Sequence, residues 1–429
     1  MIDACSPRTR TTEFQALPYL IKDSTIQDYF KVDNNCIAFF ASPEDKRNDK
    51  PECKIYADEF EYMRRLIINA DPDTILRIYQ TKGSERFSES MLQNLPQIDP
   101  PFSPQIDSPQ PLKGLRIALD PGHIAADSTN AELEGKYIKM RPSPQTHDQT
   151  ISFNEANLTL TTAFLLREML EAKGATVFQT REEAGISVRG FTFEEWLEKQ
   201  FEQDLADELE KGNLSEMQVE WFKNEATLAE KYQKLFVKLD LRQRAKMINE
   251  FKPHITIMIH YNVHLGNWQV RDSEGFFKPG RANYNMVFVP GSFMAGELNK
   301  VEQRIAFLRL LLTKDLQKSI HFSEYVIRQF TEKLDVKPVP NNPNITYLHR
   351  SCIGAEEKGV FARNLYLTQH IKGTICFGES LCQDFTEEAL RLNKRDIEVH
   401  NIPTSSRVKD VAEAYYNAIL AFYGIHTIE

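Results

Sequence analysis

The stretch Leu115-Arg116-Ile117-Ala118-Leu119-Asp120-Pro121-Gly122-His123 sets the architecture expected for most of this chain. Residues 115–119 are mostly apolar and of strand length, which predicts a strand buried within a sheet. Pro121 and Gly122 would turn the chain sharply where that strand ends. His123 is therefore expected at the carboxyl edge of the sheet, where open α/β sheets bind their ligands.

Beyond this stretch, apolar runs of strand length alternate with long helical patterns, which favours an α/β fold. Helices are predicted at 154–173, where Gly174 provides a C-terminal stop, and at 239–251. We expect a twisted, mostly parallel or mixed sheet of about six strands flanked by helices. The predicted strands are 115–119, 176–180, 255–259, 286–289, 364–367 and 374–377.

A proline-rich segment at 96–113 predicts a semi-rigid linker, because proline removes backbone donors and favours extended chain. Before it lies an N-terminal region, 1–95, that carries no chemical motif. A strand at 37–41 and helices at 58–69 and 73–79 are predicted there. After the linker, the main domain is expected to span 114–429.

Three insertions interrupt the main domain. The first is predicted to be a polar loop, and the other two are predicted to be helical. Long excursions from a compact α/β unit are often lids or partner surfaces, although they can also simply enlarge the core. The insertions lie at 125–150, 191–238 and 294–320.

Composition narrows the class of protein. The chain has 429 residues, enough for a sizeable core, and its net charge of -9 argues against nucleic acid as the main partner. No apolar run approaches the roughly 18 to 20 residues of a membrane helix, and no signal-peptide pattern follows Met1. The six cysteines include no CxxC pair, although Cys36 and Cys53 could form a single disulfide.

Three side chains of the types that bind zinc lie at ends of predicted elements: His123, Glu155 and His260. Together they would leave one coordination position open for water. His264 and His147 are rival ligands, and His147 is considered because it lies nearer to Glu155 in the chain.

Two of these residues have other interpretations. Ser152 to Glu155 spells S-x-x-E, so Glu155 could instead close a capping box at the start of its helix. His260 could be a core histidine with a backbone partner.

A fourth polar residue, Glu379, follows the predicted strand 374–377. Its carboxylate would be costly to bury without a partner. It could move a proton beside the metal, or it could form an ion pair with Arg181, Arg244 or Arg363. The ligands and Glu379 are all expected at one edge of one sheet.

These segments, in this order, resemble the zinc-dependent N-acetylmuramoyl-L-alanine amidases of the amidase 3 family. The resemblance runs from about Leu115 to the C-terminus and does not cover the first hundred residues. Ile124 and Ala125 stand where the family usually has glycines, and the segment from His123 to Glu155 is unusually long. The segments that resemble the family are Ile117 to His123, Glu155 to Leu160, Thr180-Arg181, Leu241 to Arg244, His260 to Asn262, Gly359 to Leu367 and Gly373 to Glu379.

The resemblance implies a peptidoglycan hydrolase that cleaves the amide between N-acetylmuramic acid and L-alanine. Zn2+ would be held by His123, Glu155 and His260, Glu379 would be the catalytic proton carrier, and Asn262 would bind substrate. Such an enzyme is expected to be periplasmic or secreted. Cys5 is a candidate lipid attachment site.

The resemblance also implies possible regulation through the insertion 294–320. In division-associated members of the family, a helix at a similar position covers the zinc until a protein activator displaces it. Glu297 or Glu302 would then be the carboxylate that blocks the metal.

Two other classes of protein remain open. A zinc carboxypeptidase acting on cell-wall peptides could use the same ligands, with Arg181 or Arg244 receiving the terminal carboxylate. A catalytically inactive wall-binding protein could keep the fold without turnover.

Overall fold

The computed structural model describes residues 14–82, 86–87, 97–98, 100–142, 150–264, 271–340 and 346–425. The chain forms two compact units. Because the chain passes between them several times, the first unit is larger than the N-terminal region expected at 1–95. The first unit comprises 1–102, 288–324 and 341–375, and the second comprises 103–287, 325–340 and 376–429.

The described residues contain strands β1 Phe30–Val32, β2 Cys36–Phe39, β3 Cys53–Tyr56, β4 Arg116–Pro121, β5 Tyr137–Met140, β6 Ile151–Asn154, β7 Thr176–Gln179, β8 Ile255–Asn262, β9 Met286–Val289, β10 Ile353–Gly354, β11 Val360–Ala362, β12 Thr374–Cys382, β13 Ile397–Val399 and β14 Ile402–Thr404.

The α-helices of the described residues are α1 Leu17–Leu20, α2 Pro43–Arg47, α3 Phe60–Asn69, α4 Pro72–Gln80, α5 Ser128–Glu134, α6 Glu155–Ala172, α7 Phe193–Lys199, α8 Phe201–Glu210, α9 Glu216–Asn224, α10 Leu228–Lys231, α11 Val237–Phe251, α12 Val301–Leu312, α13 Asp315–Leu334, α14 Thr346–Ser351, α15 Tyr366–His370, α16 Thr386–Leu392 and α17 Arg407–Phe422. A π-helical turn, Tyr232–Phe236, joins α10 to α11. No helix in the described ranges is both long and apolar enough to span a membrane.

The α/β fold is confirmed. Its main sheet is mixed and has seven strands in the order β10-β11-β9-β12-β8-β4-β7. Strand β4 runs parallel to both β7 and β8, whereas β10 and β11 are antiparallel. Five of the predicted strands correspond to β4, β7, β8, β9 and β12, and the predicted helices correspond to α3, α4, α6 and α11.

The strand predicted at 364–367 is wrong. The strand ends earlier, at Ala362, and residues from Tyr366 form helix α15. The reason is local, because Thr368 Oγ1 accepts the Leu365 N–H at 3.0 Å and donates to the Arg363 carbonyl at 2.9 Å. A side chain that bonds neighbouring backbone groups in this way favours a helix start over a strand.

The Cys36–Cys53 disulfide is also wrong, since both thiols are free and buried. Strands β2 and β3 are antiparallel, and their register pairs Cys36 with Tyr56 and Phe39 with Cys53. The two cysteines are therefore offset by three residues, about 10 Å along the strands, which exceeds the reach of a disulfide.

The polar loop predicted at 125–150 is wrong over the residues that the structure describes. They form helix α5 and strand β5, which pairs antiparallel with β6 just beyond the segment. Asp127 caps α5 by accepting the Asn130 N–H at 2.9 Å, and Gly135 ends it in a left-handed conformation. The rival ligand His147 lies outside the described residues, as does Cys5.

The insertion at 191–238 is helical, as predicted, and forms α7 to α10 and the π-helical turn. Its apolar side chains make their own core with Trp196 fully buried at the centre. Ile124 belongs to this core and Leu133 of α5 packs against it. The insertion therefore supports the chain directly after His123 and the helix of the first insertion.

Candidate metal centre

Parallel pairing of β4 and β8 brings the first and third predicted ligands together. The register places Pro121 beside Ile259, so the residues just after β4 lie next to His260 in β8. Helix α6 begins at Glu155, close to the same edge of the sheet. All three predicted ligands belong to the second unit.

The three side chains present one donor atom each to a common point. His123 Nε2 lies 3.1 Å from Glu155 Oε1, and His260 Nδ1 lies 3.2 Å from the first atom and 3.3 Å from the second. Among the described residues, no other group of three His, Cys, Asp or Glu side chains is arranged to hold a metal ion.

His123 occupies a left-handed backbone conformation, with φ of 65°. Two buried arginines hold the turn around it through backbone carbonyls. Arg244 donates to the carbonyls of Pro121 at 2.8 Å and His123 at 3.0 Å, and Arg181 donates to the Gly122 carbonyl at 3.3 Å. Burial and the neighbouring guanidinium lower the pKa of Arg181 to about 10.

Those two arginines do not pair with Glu379 and do not face a substrate carboxylate. Their side chains are only 2% exposed and are used to hold the backbone. Arg244 also pairs with Asp240 at 2.5 Å and with Asp120 at 3.2 Å. The third candidate, Arg363, places its guanidinium over the rings of Phe288 and Tyr347, in the first unit.

The His260 ring is held between two neighbours. It stacks on Phe377 of β12, with ring centres 4.3 Å apart and planes 8° apart. It also fills the space beside Gly122, where a Cβ atom would overlap the ring. Burial lowers the pKa of His260 to about 4, so the imidazole is neutral and able to bind a metal near neutral pH.

Glu155 does not form the predicted capping box. Ser152 belongs to strand β6, and its N–H donates to Asn393. The cap of α6 is Asn154, whose side chain accepts the Asn157 N–H at 2.8 Å. Glu155 is thus the first helical residue, which leaves its carboxylate free of a capping role.

The carboxylate of Glu155 is buried, and both of its oxygens contact donor groups of the protein. Tyr261 N–H donates to Oε1 at 3.1 Å, while Gln383 Nε2 donates to Oε2 at 3.1 Å and Lys136 Nζ lies 3.6 Å from it. Burial opposes ionisation, but attraction by His123 and Lys136 outweighs it and holds the pKa of Glu155 well below its usual range. Glu155 is therefore an anion positioned for a cation.

Glu134, Lys136 and Gln383 were not identified from the sequence. The Asp127 cap and Gly135 stop could have predicted helix α5. No sequence pattern could have placed the last residue of that helix beneath His123, because the contact depends on how α5 folds back.

The structure gives less direct evidence on the roles of Glu379 and Asn262. Phe377 and Glu379 are two residues apart in β12, so they share one face of the strand, and Phe377 stacks on His260. Asn262 ends β8 and is 4% exposed; its Oδ1 accepts the Val263 N–H at 2.8 Å. Within the described residues its Nδ2 donates to no acceptor. The roles predicted for Glu379 and Asn262 stay predictions.

His264, the other rival ligand, lies away from this group. Its backbone N–H donates to Asp384 Oδ1 at 2.8 Å, and its ring lies 5.7 Å from the ring of Tyr284. It is not part of the metal-ligand group found in the described chain.

The donor set fits zinc. A tetrahedral zinc ion with ligands at about 2.0 to 2.1 Å separates its ligand atoms by about 3.3 Å. The observed separations of 3.1, 3.2 and 3.3 Å match that spacing. Two imidazole nitrogens and one carboxylate oxygen are also a ligand set found in catalytic zinc sites, where a fourth position is left open.

No protein-family model matches the sequence, and no curated protein is significantly similar to it. Among solved structures, this chain is similar to the N-acetylmuramyl-L-alanine amidase Ami1 from Mycobacterium smegmatis, with 15% identity, a TM-score of 0.39, and coverage of 73% of this chain and 99% of that chain.

Two further solved structures are similar at comparable levels. The CwlD amidase from Clostridioides difficile, in complex with the GerS lipoprotein, has 15% identity and a TM-score of 0.37, covering 73% of this chain and 100% of that chain. The N-acetylmuramoyl-L-alanine amidase AmiC2 of Nostoc punctiforme has 14% identity and a TM-score of 0.35, covering 72% and 98%.

Proposed function

We propose that this chain is a zinc-dependent N-acetylmuramoyl-L-alanine amidase that hydrolyses peptidoglycan. The observation that carries the proposal is the triangle of donor atoms from His123, Glu155 and His260, with sides of 3.1 to 3.3 Å. The ordered resemblance of the sequence to the amidase 3 family supplies the substrate class.

Zinc would supply one part of the chemistry, and side chains of this protein would supply the rest. When bound, zinc supplies a Lewis acid that polarises the amide carbonyl and lowers the pKa of water. Glu379 accepts a proton from the attacking water and returns it to the departing amine of L-alanine, which leaves poorly unless protonated. His123, Glu155 and His260 would hold the ion, and their other contacts would keep each donor atom directed at it.

Asn262 is the proposed substrate-binding residue. Its Nδ2 is buried and, within the described residues, has no acceptor, so a substrate carbonyl would satisfy it. Its Oδ1 is already occupied by the Val263 N–H, which fixes the orientation of the side chain. An unsatisfied buried donor is costly, which favours binding of a polar ligand there.

A zinc carboxypeptidase is supported less well. Such an enzyme needs a cation that receives the terminal carboxylate, and the two arginines considered for that role are committed to the backbone of the 121–123 turn. A catalytically inactive wall-binding protein would not require an ionised Glu155 held by His123, Lys136 and Gln383.

The experiment that tests the reaction is digestion of purified peptidoglycan followed by mass spectrometry. An amidase releases stem peptides that begin with L-alanine and leaves muramic acid with a free lactyl group. Release of only a C-terminal amino acid would indicate a carboxypeptidase, and no release by zinc-loaded protein would indicate a binding protein.

Replacing Glu379 tests the proton-transfer role. Glu379→Ala and Glu379→Gln are expected to lower hydrolysis by about 100-fold or more, because general acid–base catalysis contributes about that much. Bound zinc, measured by elemental analysis, should stay stoichiometric. His123→Ala is the contrasting variant, which should lose zinc as well as activity. Turnover near that of the parent protein in the Glu379 variants would exclude this role.

The compartment follows from the proposed substrate, and the proposed regulation follows from the resemblance to the amidase 3 family. A peptidoglycan hydrolase would act in the periplasm or after secretion. The proposed protein activator would displace the inserted helix at 294–320, with Glu302 or Glu297 as the blocking carboxylate. Glu297 already accepts hydrogen bonds from Met294 N–H and the Asn364 amide, both at 2.8 Å, whereas Glu302 is exposed.

A further inference from the structure

A second carboxylate lies directly behind the first zinc ligand. Glu134 Oε1 is 3.2 Å from His123 Nδ1, the ring nitrogen opposite the donor atom Nε2. The same carboxylate accepts the backbone N–H groups of Ile124 at 3.2 Å and Ala125 at 3.1 Å. Glu134 is 8% exposed, so these contacts replace solvent.

We propose that Glu134 is a positioning residue for the metal: it fixes the tautomer and orientation of His123. This inference rests on the proposed zinc site, although not on the identity of the substrate. An ionised carboxylate only accepts hydrogen bonds, so His123 Nδ1 must carry the proton. His123 Nε2 then presents its lone pair toward Glu155 Oε1 and His260 Nδ1.

The backbone at His123 explains how the carboxylate is held. The left-handed conformation of His123 turns two consecutive N–H groups, those of Ile124 and Ala125, toward the same point. Consecutive N–H groups arranged in this way form a concavity that binds anions. Glu134 fills it, so one side chain stabilises the turn and orients the imidazole that the turn carries.

Both insertions contribute to this arrangement. The first supplies helix α5, which ends at Glu134. The second covers that helix, since Leu133 packs against the aromatic core of the 191–238 insertion and Gln233 of its π-helical turn donates to the Leu133 carbonyl at 2.6 Å. A π-helical turn is uncommon and often lies close to a functional site. The inference gives helix α5, which is held by these contacts of Leu133, a role in ordering the metal site.

Glu134→Gln is the decisive variant because it keeps the shape and removes the charge. The glutamine oxygen can still accept the Ile124 and Ala125 N–H groups, but its amide would then face His123 Nδ1 as a donor. That contact favours the tautomer with the proton on Nε2, which cannot bind zinc. Zinc affinity, measured by competition with a chelating dye, should fall about 10- to 100-fold.

Asp204→Asn is the matched control. Asp204 is also a buried carboxylate, 4% exposed, bonded to Arg189 at 2.7 and 2.8 Å and to Trp196 at 2.7 Å, with no metal ligand among those partners. Its replacement should lower the melting temperature but leave zinc affinity unchanged. Comparing the melting temperature of each variant with and without zinc separates a loss of fold from a loss of metal binding.

The outcomes are distinct. Weaker zinc binding in Glu134→Gln and partial recovery in Glu134→Asp support the inference. It is overturned if Glu134→Gln binds zinc as tightly as the parent protein, or if Asp204→Asn loses zinc affinity to the same extent. Because zinc is the probe, the inference survives if peptidoglycan proves not to be the substrate, and the amidase proposal survives if Glu134 proves unimportant.

Discussion

Single residues around the turn 120–123 have little freedom to change. Gly122 is not required for an unusual backbone angle; it is required because the His260 ring occupies the place of a side chain. His123 adopts the left-handed conformation that presents its ring to Glu155. Gly122 and His123, which look like part of a simple turn in the sequence, thus form part of the wall of the candidate metal centre.

Gly122→Ala is therefore expected to disrupt metal binding. Its Cβ would overlap the His260 ring, with Nδ1 only 2.5 Å away, and the ring is also packed against Phe377. Zinc affinity measured by isothermal titration should fall about tenfold or more, as for other losses of ligand orientation. Gly354→Ala is the control, because a Cβ there would meet only the Phe361 ring, at 3.8 Å. Equal zinc affinities in the two variants would contradict this account.

Among the elements, strand β12 and helix α17 pack closely together. This close packing is possible because the strand residue at the contact, Gly378, has no side chain. A Cβ on Gly378 would overlap Tyr415 Oη and lie 2.9 Å from Cζ. Tyr415 is completely buried, and within the described residues its hydroxyl has no hydrogen-bond partner. The neighbouring position in the strand is Glu379, so this contact helps set the depth of the proposed proton carrier.

This packing predicts a coupled pair of substitutions. Gly378→Ala should lower the free energy of unfolding in urea by about 1 to 3 kcal/mol, because it overfills the contact. Tyr415→Phe should be neutral or stabilising, because it removes an unsatisfied hydroxyl. In the double variant, the cost of the alanine should be smaller than in the parent chain. Strictly additive effects would mean that these two residues do not meet.

For the whole molecule, the notable feature is that the first unit is assembled from separated parts of the chain. Phe307 of helix α12 packs between the N-terminal strands and the segment before α12, with ring centres 4.8 Å from Phe30 and 5.2 Å from Phe293. Arg304 of the same helix pairs with Glu52 at 2.8 Å. The insertion at 294–320 is thus part of this unit's core, whatever else it does.

This assembly changes how autoinhibition should be tested. Deleting 294–320 would remove Phe307 and Arg304 and should leave an unstable protein, so its activity would not inform about a blocking helix. Glu302→Ala, at an exposed position, should instead raise the rate of peptidoglycan hydrolysis several-fold without changing the melting temperature. Glu297→Ala tests the other candidate carboxylate, and it is also expected to lower the melting temperature through loss of its bonds to Met294 and Asn364. An unchanged rate in Glu302→Ala would count against a blocking helix.

The sequence alone was sufficient for the strands β4, β7, β8, β9 and β12, for the helices that alternate with them, and for choosing His123, Glu155 and His260, which the fold brings together. Each depends on a local pattern: apolar runs, turn residues and helix stops act over a few neighbouring positions. The tertiary structure was needed for Glu134, Lys136 and Gln383 and for the space beside Gly122. Those features depend on contacts between residues far apart in the chain, which hydrophobic periodicity does not encode. The turn at Asp120-Pro121-Gly122-His123 belongs to both groups, because its position follows from the sequence and its place in the candidate metal centre follows from what folds around it.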